Sequence, residues 1–100
     1  MNFFRLRLVT VITESALESR LVKDIERLGA QGYTITPARG KGARGTRDAS
    51  WDSSANIRIE IICDADVEQE IASYFKENYY DNYAMVLYMH DVDVLRSNKF

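Results

Sequence analysis

The run Ile57-Arg58-Ile59-Glu60-Ile61 puts three isoleucines on one side of an extended chain and a cation and an anion on the other. That period of two marks a half-buried strand. What precedes it decides the topology. Residues 38–54 carry no periodicity, hold Gly40, Gly42, Gly45 and three serines, and read as a loop of 17 residues. Before the loop, residues 33–36 form a short strand that Pro37 ends or confines to a sheet edge. Two strands thus follow one another with no helix between them. Further upstream, Leu17, Leu21, Ile25 and Leu28 make one stripe of a helix over residues 14–28. Ser15 and Glu18 suggest a capping box, with Thr13 as an equal alternative cap, and Gly29 and Gly32 are two candidate stops. Residues 3–12 read as the first strand, Phe4, Leu6, Leu8 and Ile12 on one face, Phe3, Arg5, Arg7, Val9 and Val11 on the other. Downstream, a helix opens near Asp66, which with Gln69 resembles a capping box, and continues through Val67, Ile71, Tyr74, Phe75 and Asn78. Residues 84–89 are the last strand, and a polar tail, 91–100, follows.

The order strand, helix, strand, strand, helix, strand predicts an α+β fold. It is the ferredoxin-like βαββαβ arrangement, with a four-stranded antiparallel sheet, helices on one face and a long loop between strands 2 and 3. A chain of 100 residues hides roughly 60–70% of its unfolded surface, enough for one core. A single domain over 1–100 is expected. Its apolar content of 46% argues against a disordered tail. The longest apolar run, residues 84–89, is far short of the ~20 a membrane span needs. Arg5 and Arg7 break the one apolar stretch that could serve as a signal peptide. The single cysteine, Cys63, has no partner for an internal disulfide, which fits a cytoplasmic location.

One feature speaks to assembly. The last strand is apolar on both faces, Ala84, Val86 and Tyr88 alternating with Met85, Leu87 and Met89. Val9, Val11 and Ile62 are expected to extend the apolar character of the sheet face turned away from the helices. Such a patch usually marks an interface. A homo-oligomer packed through open sheet faces is expected; a binding face on a monomer is the alternative.

Charge is unevenly placed. Between Ala38 and Asp48, Arg39, Lys41, Arg44 and Arg47 against Asp48 give a local sum of +3, leaving −5 for the remainder. A basic island in an acidic molecule points to a small or local anion rather than to nucleic acid. Within Arg39-Gly40-Lys41-Gly42-Ala43-Arg44-Gly45-Thr46-Arg47, glycines spaced by two let successive N–H groups converge on one concavity. The arginines add planar donors suited to phosphate, each charge-assisted contact worth roughly 1.5–3 kcal/mol. The nucleotide fingerprint that needs a strand–loop–helix crossover is not met, because this loop joins two antiparallel strands. A solvated basic connector is the bland alternative.

The sequence resembles the PII-like signalling proteins, specifically their inorganic-carbon branch, the carboxysome-associated and SbtB-like PII proteins. The residues that carry the resemblance span nearly the whole chain: Val11-Ile12-Thr13-Glu14, Gly29-Ala30-Gln31-Gly32-Tyr33-Thr34, the glycine–arginine run from Gly40 to Arg47, Ser54-Ala55-Asn56-Ile57-Arg58-Ile59-Glu60, and Tyr83-Ala84-Met85-Val86-Leu87-Tyr88. The resemblance implies a homotrimer with an adenine nucleotide in each intersubunit cleft. It also implies that residues 38–54 are a T-loop whose order changes with the nucleotide and which touches partner proteins. Carried over, Gly40, Lys41, Gly42 and Ala43 would line the phosphate with backbone, Arg44 and Arg47 would contact it, Asn56 would support the loop base, and Tyr88 would lie near the cleft. The partner would be a bicarbonate transporter or a carboxysome component, with bicarbonate as a further effector near the same arginines.

Departures from the family pattern matter. Where nitrogen-regulatory PII proteins carry a Gly- and Lys-containing loop before the last strand, this chain has Tyr79-Tyr80-Asp81-Asn82-Tyr83. A γ-phosphate would meet Asp81, which favours AMP, ADP or cyclic AMP over tight ATP binding. The loop has no tyrosine for uridylylation, and the C-terminal cysteine pair of some carbon-branch relatives is not matched by Arg96-Ser97-Asn98-Lys99-Phe100.

Other classes are weaker. RNA-recognition domains of this topology need exposed aromatics on their middle strands, where this chain has isoleucines, Arg58 and Glu60. His90, beside Asp91 and Asp93, is more often a lone surface histidine than a catalytic or metal-binding pair, and a zinc site wants three or four ligands. Cys63 reads as a small core residue. Trp51 suits a partner anchor and a fold-back contact equally. Tyr79, Tyr80 and Tyr83 suit packing and trimer contacts better than a stacking platform. The sequence thus predicts no catalysis and no metal, but a nucleotide-sensing regulator of inorganic-carbon acquisition. The alternative is a ligand-independent oligomeric scaffold whose basic loop docks a partner.

Overall fold

The four strands pair in the order β2-β3-β1-β4. The computed structural model describes residues 1–40 and 55–96. β1 (Phe4–Glu14) is central, antiparallel both to β3 (Asn56–Cys63) and to β4 (Met85–Val94). Among the described residues β2 (Thr34–Ala38) pairs with β3 alone. Pro37, opposite Ile57, therefore sits on an edge strand, where its missing N–H breaks no inner ladder. The chain folds as the ferredoxin-like arrangement, with α1 (Glu18–Arg27) and α2 (Ala65–Asn78) against one face.

Residues directly opposed across strands share a face, so the registers sort the sheet. Val9 stands between Ile61 and Met89, Val11 between Ile59 and Leu87, and Thr13 between Ile57 and Met85. This set packs against Leu21 and Ile25 of α1 and Ile71 and Phe75 of α2 to make the core. Each of those four helical side chains is fully buried, a burial worth roughly 1.5–3 kcal/mol apiece. The expectation that Val9 and Val11 extend the open face is therefore corrected: both lie under the helices with no exposed surface. A strand apolar on both sides does not reveal which side faces in; its register with Ile59 and Ile61 does. The open face instead carries Phe4, Leu6, Leu8 and Ile12 from β1, Ile62 from β3, and Val86, Val92 and Val94 from β4.

Element ends also differ from expectation. β1 runs on to Glu14, and a single 3-10 turn, Ser15–Leu17, precedes α1. No side chain caps either turn at its start. The Ser15 amide instead donates to the Ala55 carbonyl at 2.7 Å, tying the helix entry to the start of β3. The cap of α2 is Asp64, not Asp66: its carboxylate accepts from the Val67 amide at 2.9 Å. Gly29 alone among the described glycines takes a positive φ, 113°, and a Cβ there would stand 3.2 Å from a Val67 methyl. β4 extends through Val94, into what the sequence suggests is tail. There Asp91 and Asp93 alternate with Val92 and Val94, and stand opposite Arg7 and Arg5 at 2.6 and 3.1 Å. Among the described residues no helix is long and apolar enough to cross a membrane.

Candidate functional site

The end of the sheet from which residues 39–55 depart gathers four pieces of chain. β2 ends there at Ala38, β3 begins at Asn56, and β1 ends at Glu14, which Asn56 faces. The fourth piece is the turn between α2 and β4: the Thr13 hydroxyl donates to the Ala84 carbonyl at 2.9 Å, beneath the core side of the same end. A buried hydroxyl with a partner of that kind fixes the turn against the strand. Asn56 is itself buried, only 4% exposed, between Ala38 and Glu14 on the neighbouring strands. It stands at the first position of β3, just after the 38–54 segment.

Of the other site residues expected from the sequence, Gly40 is described, exposed and open enough that a Cβ there would meet nothing within 4 Å. Lys41, Gly42, Ala43, Arg44 and Arg47 lie outside the described residues, as does Trp51. Tyr88 projects from β4 onto the open face, in the row that runs Thr34, Glu60, Thr10, Tyr88 across the sheet. Asn56 shares that face but lies two strands across and four residues along. At strand spacing of about 4.8 Å and rise of about 3.4 Å per residue, one protomer does not bring the two together.

Between them lies a feature that sequence reasoning passed over. Arg58 and Glu60 of β3 form an ion pair at 2.7 Å on the open face, half-exposed, beside Thr10, Thr34 and Thr36. The Glu60 carboxylate, by hydrogen bond and by charge, holds the Arg58 guanidinium above its ordinary range. The open face thus has an apolar half, over β1 and β4 with Ile62 of β3, and a polar half next to the loop root, made by Arg58 and Glu60 of β3 with Thr34 and Thr36 of β2 and Thr10 of β1. Reading Arg58 and Glu60 only as the polar phase of an alternation hid this division; their short i, i+2 charge pair was the available signal.

The turn from Tyr79 to Ala84 is held from the helix side. Tyr79 is buried, its ring 5.3 Å from Phe75 and 5.8 Å from Tyr83, and its hydroxyl donates to Asp24. Burial first, then that acceptor, pushes the Tyr79 phenol up to about 12. The Tyr80 hydroxyl accepts from the Leu87 amide at 2.8 Å, folding the turn onto the outer edge of β4. These tyrosines pack within the protomer, and Asp81 is exposed in the turn they anchor.

His90 offers no acid–base pair with its neighbour. It faces the open side, opposite Leu8, while Asp91 points to the other side and bonds Arg7. The Arg7 hydrogen bond holds the Asp91 carboxyl below its ordinary value. Cys63 continues the isoleucine phase of β3 into the core, and burial raises its thiol to about 11. A thiol so placed has little thiolate at neutral pH. Among the described residues, no group of three or more His, Cys, Asp or Glu is placed to hold a metal ion.

Comparison with known proteins gives a consistent result. The family model for Nitrogen regulatory protein P-II matches residues 6–99. A PII-like signalling protein from Thermus thermophilus is 46% identical, with a TM-score of 0.84, over 100% of this chain and 99% of the other. CPII from Thiomonas intermedia, bound to ADP and bicarbonate, is 25% identical with a TM-score of 0.84, over 99% and 97% of the two chains. The same protein bound to ADP, AMP and acetate superposes with a TM-score of 0.86 at 24% identity, over 100% and 98%.

Proposed function

Because the chain belongs to the nitrogen regulatory protein P-II family, we propose that it is a cytoplasmic, non-catalytic sensor of adenine nucleotides that works as a homotrimer. Residues 1–100 act as one domain, and 38–54 are its nucleotide-dependent loop. In this reading AMP or ADP binds in the intersubunit clefts. Gly40, Lys41, Gly42 and Ala43 approach the phosphate through backbone N–H groups, Arg44 and Arg47 supply charged donors, Asn56 holds the loop base and Tyr88 flanks the cleft. The separation of Asn56 from Tyr88 within one protomer is what a site shared between two protomers would require. Bicarbonate is a second effector at the same arginines. The nucleotide orders the loop by giving those arginines a counter-charge, and the ordered loop presents a different surface to a bicarbonate transporter or a carboxysome component. Such a switch requires differential affinity for the two loop states.

The observation that carries the reading is the full-length likeness to CPII, a protein seen with ADP and bicarbonate. Asp81 in the α2–β4 turn supports a preference for AMP, ADP or cyclic AMP over ATP, since a third phosphate adds charge near a carboxylate. Calorimetric titration of AMP, ADP, cyclic AMP and ATP, with Arg44→Ala and Arg47→Ala in parallel, tests it. Micromolar binding of a mono- or diphosphate is expected. Either substitution should weaken it at least tenfold, which is about 1.4 kcal/mol. Absence of binding by a folded trimer overturns the reading and leaves 38–54 as a protein-docking arm.

A further inference from the structure

The exposed side of α1 carries Arg20, Lys23 and Arg27 at i, i+3 and i+7. At 100° per residue these three fall within about 60° of one another, along roughly 10 Å of helix. Leu21 and Ile25 turn the opposite side into the core. Arg20 stands four residues before Asp24, a spacing at which opposite charges ordinarily pair. Here they do not. One Asp24 oxygen accepts the Tyr79 hydroxyl and the other lies 3.5 Å from Arg27.

The Arg20 guanidinium rests instead on aromatic faces. It lies 5.1 Å from the Tyr79 ring centre and 5.8 Å from that of Tyr83, and donates to the Tyr83 hydroxyl at 3.1 Å. Arg27 stacks in the same way, 4.6 Å over Tyr74. Stacking fixes the plane of a guanidinium without neutralising it. Among the described residues Arg20 and Lys23 make no ion pair, whereas Arg5, Arg7 and Arg58 each have a carboxylate. The chain, −2 overall, therefore displays a row of three exposed cations: Arg20 and Arg27 are oriented by tyrosines, and Arg20 and Lys23 have no carboxylate partner among the described residues.

We propose that this stripe is a docking surface for an acidic helix of a partner protein, with carboxylates at i, i+3 or i+4, and i+7. The repeat of the cations along α1 is itself helical, so a second helix laid alongside presents acids at the same pitch. Pre-oriented Arg beside Tyr is the composition that dominates binding energy at protein interfaces, because little side-chain entropy remains to be lost. The stripe lies on the helix layer, across the sheet from Tyr88 and Asn56. It is a second contact region and does not rest on the nucleotide reading.

The test uses the full chain carrying Arg44→Ala and Arg47→Ala, so that the basic loop does not capture the probe. The probe is a fluorescein-labelled, alanine-rich helical peptide with three glutamates at i, i+3 and i+7, followed by anisotropy. Arg20→Gln combined with Lys23→Gln is expected to weaken binding at least tenfold, Lys23→Gln alone to weaken it measurably, and Lys76→Gln, the same charge change as Lys23→Gln but on α2, to leave it unchanged. Lys23→Glu, a fully surface-borne change, keeps the test valid if the double variant unfolds, and is expected to weaken binding by a similar factor. Carbodiimide coupling, which condenses a glutamate carboxyl with a lysine amine, should label Lys23 ahead of Lys41, Lys76 and Lys99. Equal losses for Lys76→Gln and Lys23→Glu, absence of peptide binding, or binding to phosphatidylserine vesicles in place of the peptide, would each overturn the proposal.

Discussion

Tyr79 shows how one buried hydroxyl ties stability to pH. Its phenol is removed from water and donates to a carboxylate, and both effects favour the neutral form. The folded-state value, about 12, lies above the ordinary value of 10. A group raised in this way contributes stability that is complete below pH 10. As pH rises from 10 toward 12, the unfolded chain releases the proton first and the contribution is lost. Urea midpoints measured from pH 8 to 12 should therefore fall across that window. In Tyr79→Phe the fall should be shallower, with the neutral-pH stability lower by about 1 kcal/mol for the lost hydrogen bond. An identical alkaline slope in both proteins would show that Tyr79 does not titrate as its surroundings imply. The same residue marks a limit of sequence reading. Cys63 was legible as a core residue because it extends the phase of Ile57, Ile59 and Ile61. The Tyr79–Asp24 bond was not, since it joins residues 55 positions apart whose meeting depends on how α1 and α2 pack.

At the scale of elements, connections are set by single residues whose backbone geometry admits few alternatives. Gly29 ends α1 in the left-handed region, and its missing Cβ leaves room for Val67 of α2. Gly29→Ala combines an unfavourable φ with a contact tighter than ordinary packing, so a loss of roughly 1–2 kcal/mol is expected. For a domain of this size that corresponds to a melting point lower by roughly 4–15 °C. Gly32, with no positive φ and nothing within 4 Å of an added Cβ, should accept alanine without comparable loss. If the two variants melt alike, Gly29 is not the stop that matters. The order of elements and the edge position of β2 were readable because isoleucine alternation, helical leucine spacing and Pro37 each report a local property. Capping was misread because Ser15 and Asp66 are good caps in isolation, while tertiary bonds select others. The Ser15 amide goes to Ala55, and Asp64 stands one residue ahead of the first turn. The extension of β4 was missed because Asp91 and Asp93 look like tail until Arg7 and Arg5 are placed opposite them.

For the whole molecule, the decisive surface is the apolar half of the open sheet face. Phe4 and Val86 are 45% and 48% exposed in a protomer, and Leu6, Leu8, Ile12, Ile62, Val92 and Val94 join them on one side. The amount of apolar surface that strands 1 and 4 present was readable from their sequence; which residues present it was not, because Val9 and Val11 have the same character and face inward. A continuous face of this kind beside a polar half of Arg58, Glu60 and three threonines resembles an interface core with its rim. Val86→Asp discriminates between an oligomeric and a monomeric role for it. In a lone protomer the new carboxylate stays half in water, so folding should survive with nearly unchanged circular dichroism. In a trimer closed through these faces it would be buried without a partner, at a cost of several kcal/mol. Light scattering after size exclusion should then report trimer for the natural chain and monomer for the variant. Adenine nucleotide affinity should vanish together with the trimer if the clefts are built from two protomers. A variant that stays trimeric would place the subunit contact elsewhere, and a natural chain that runs as a monomer would make the apolar half a binding face in its own right.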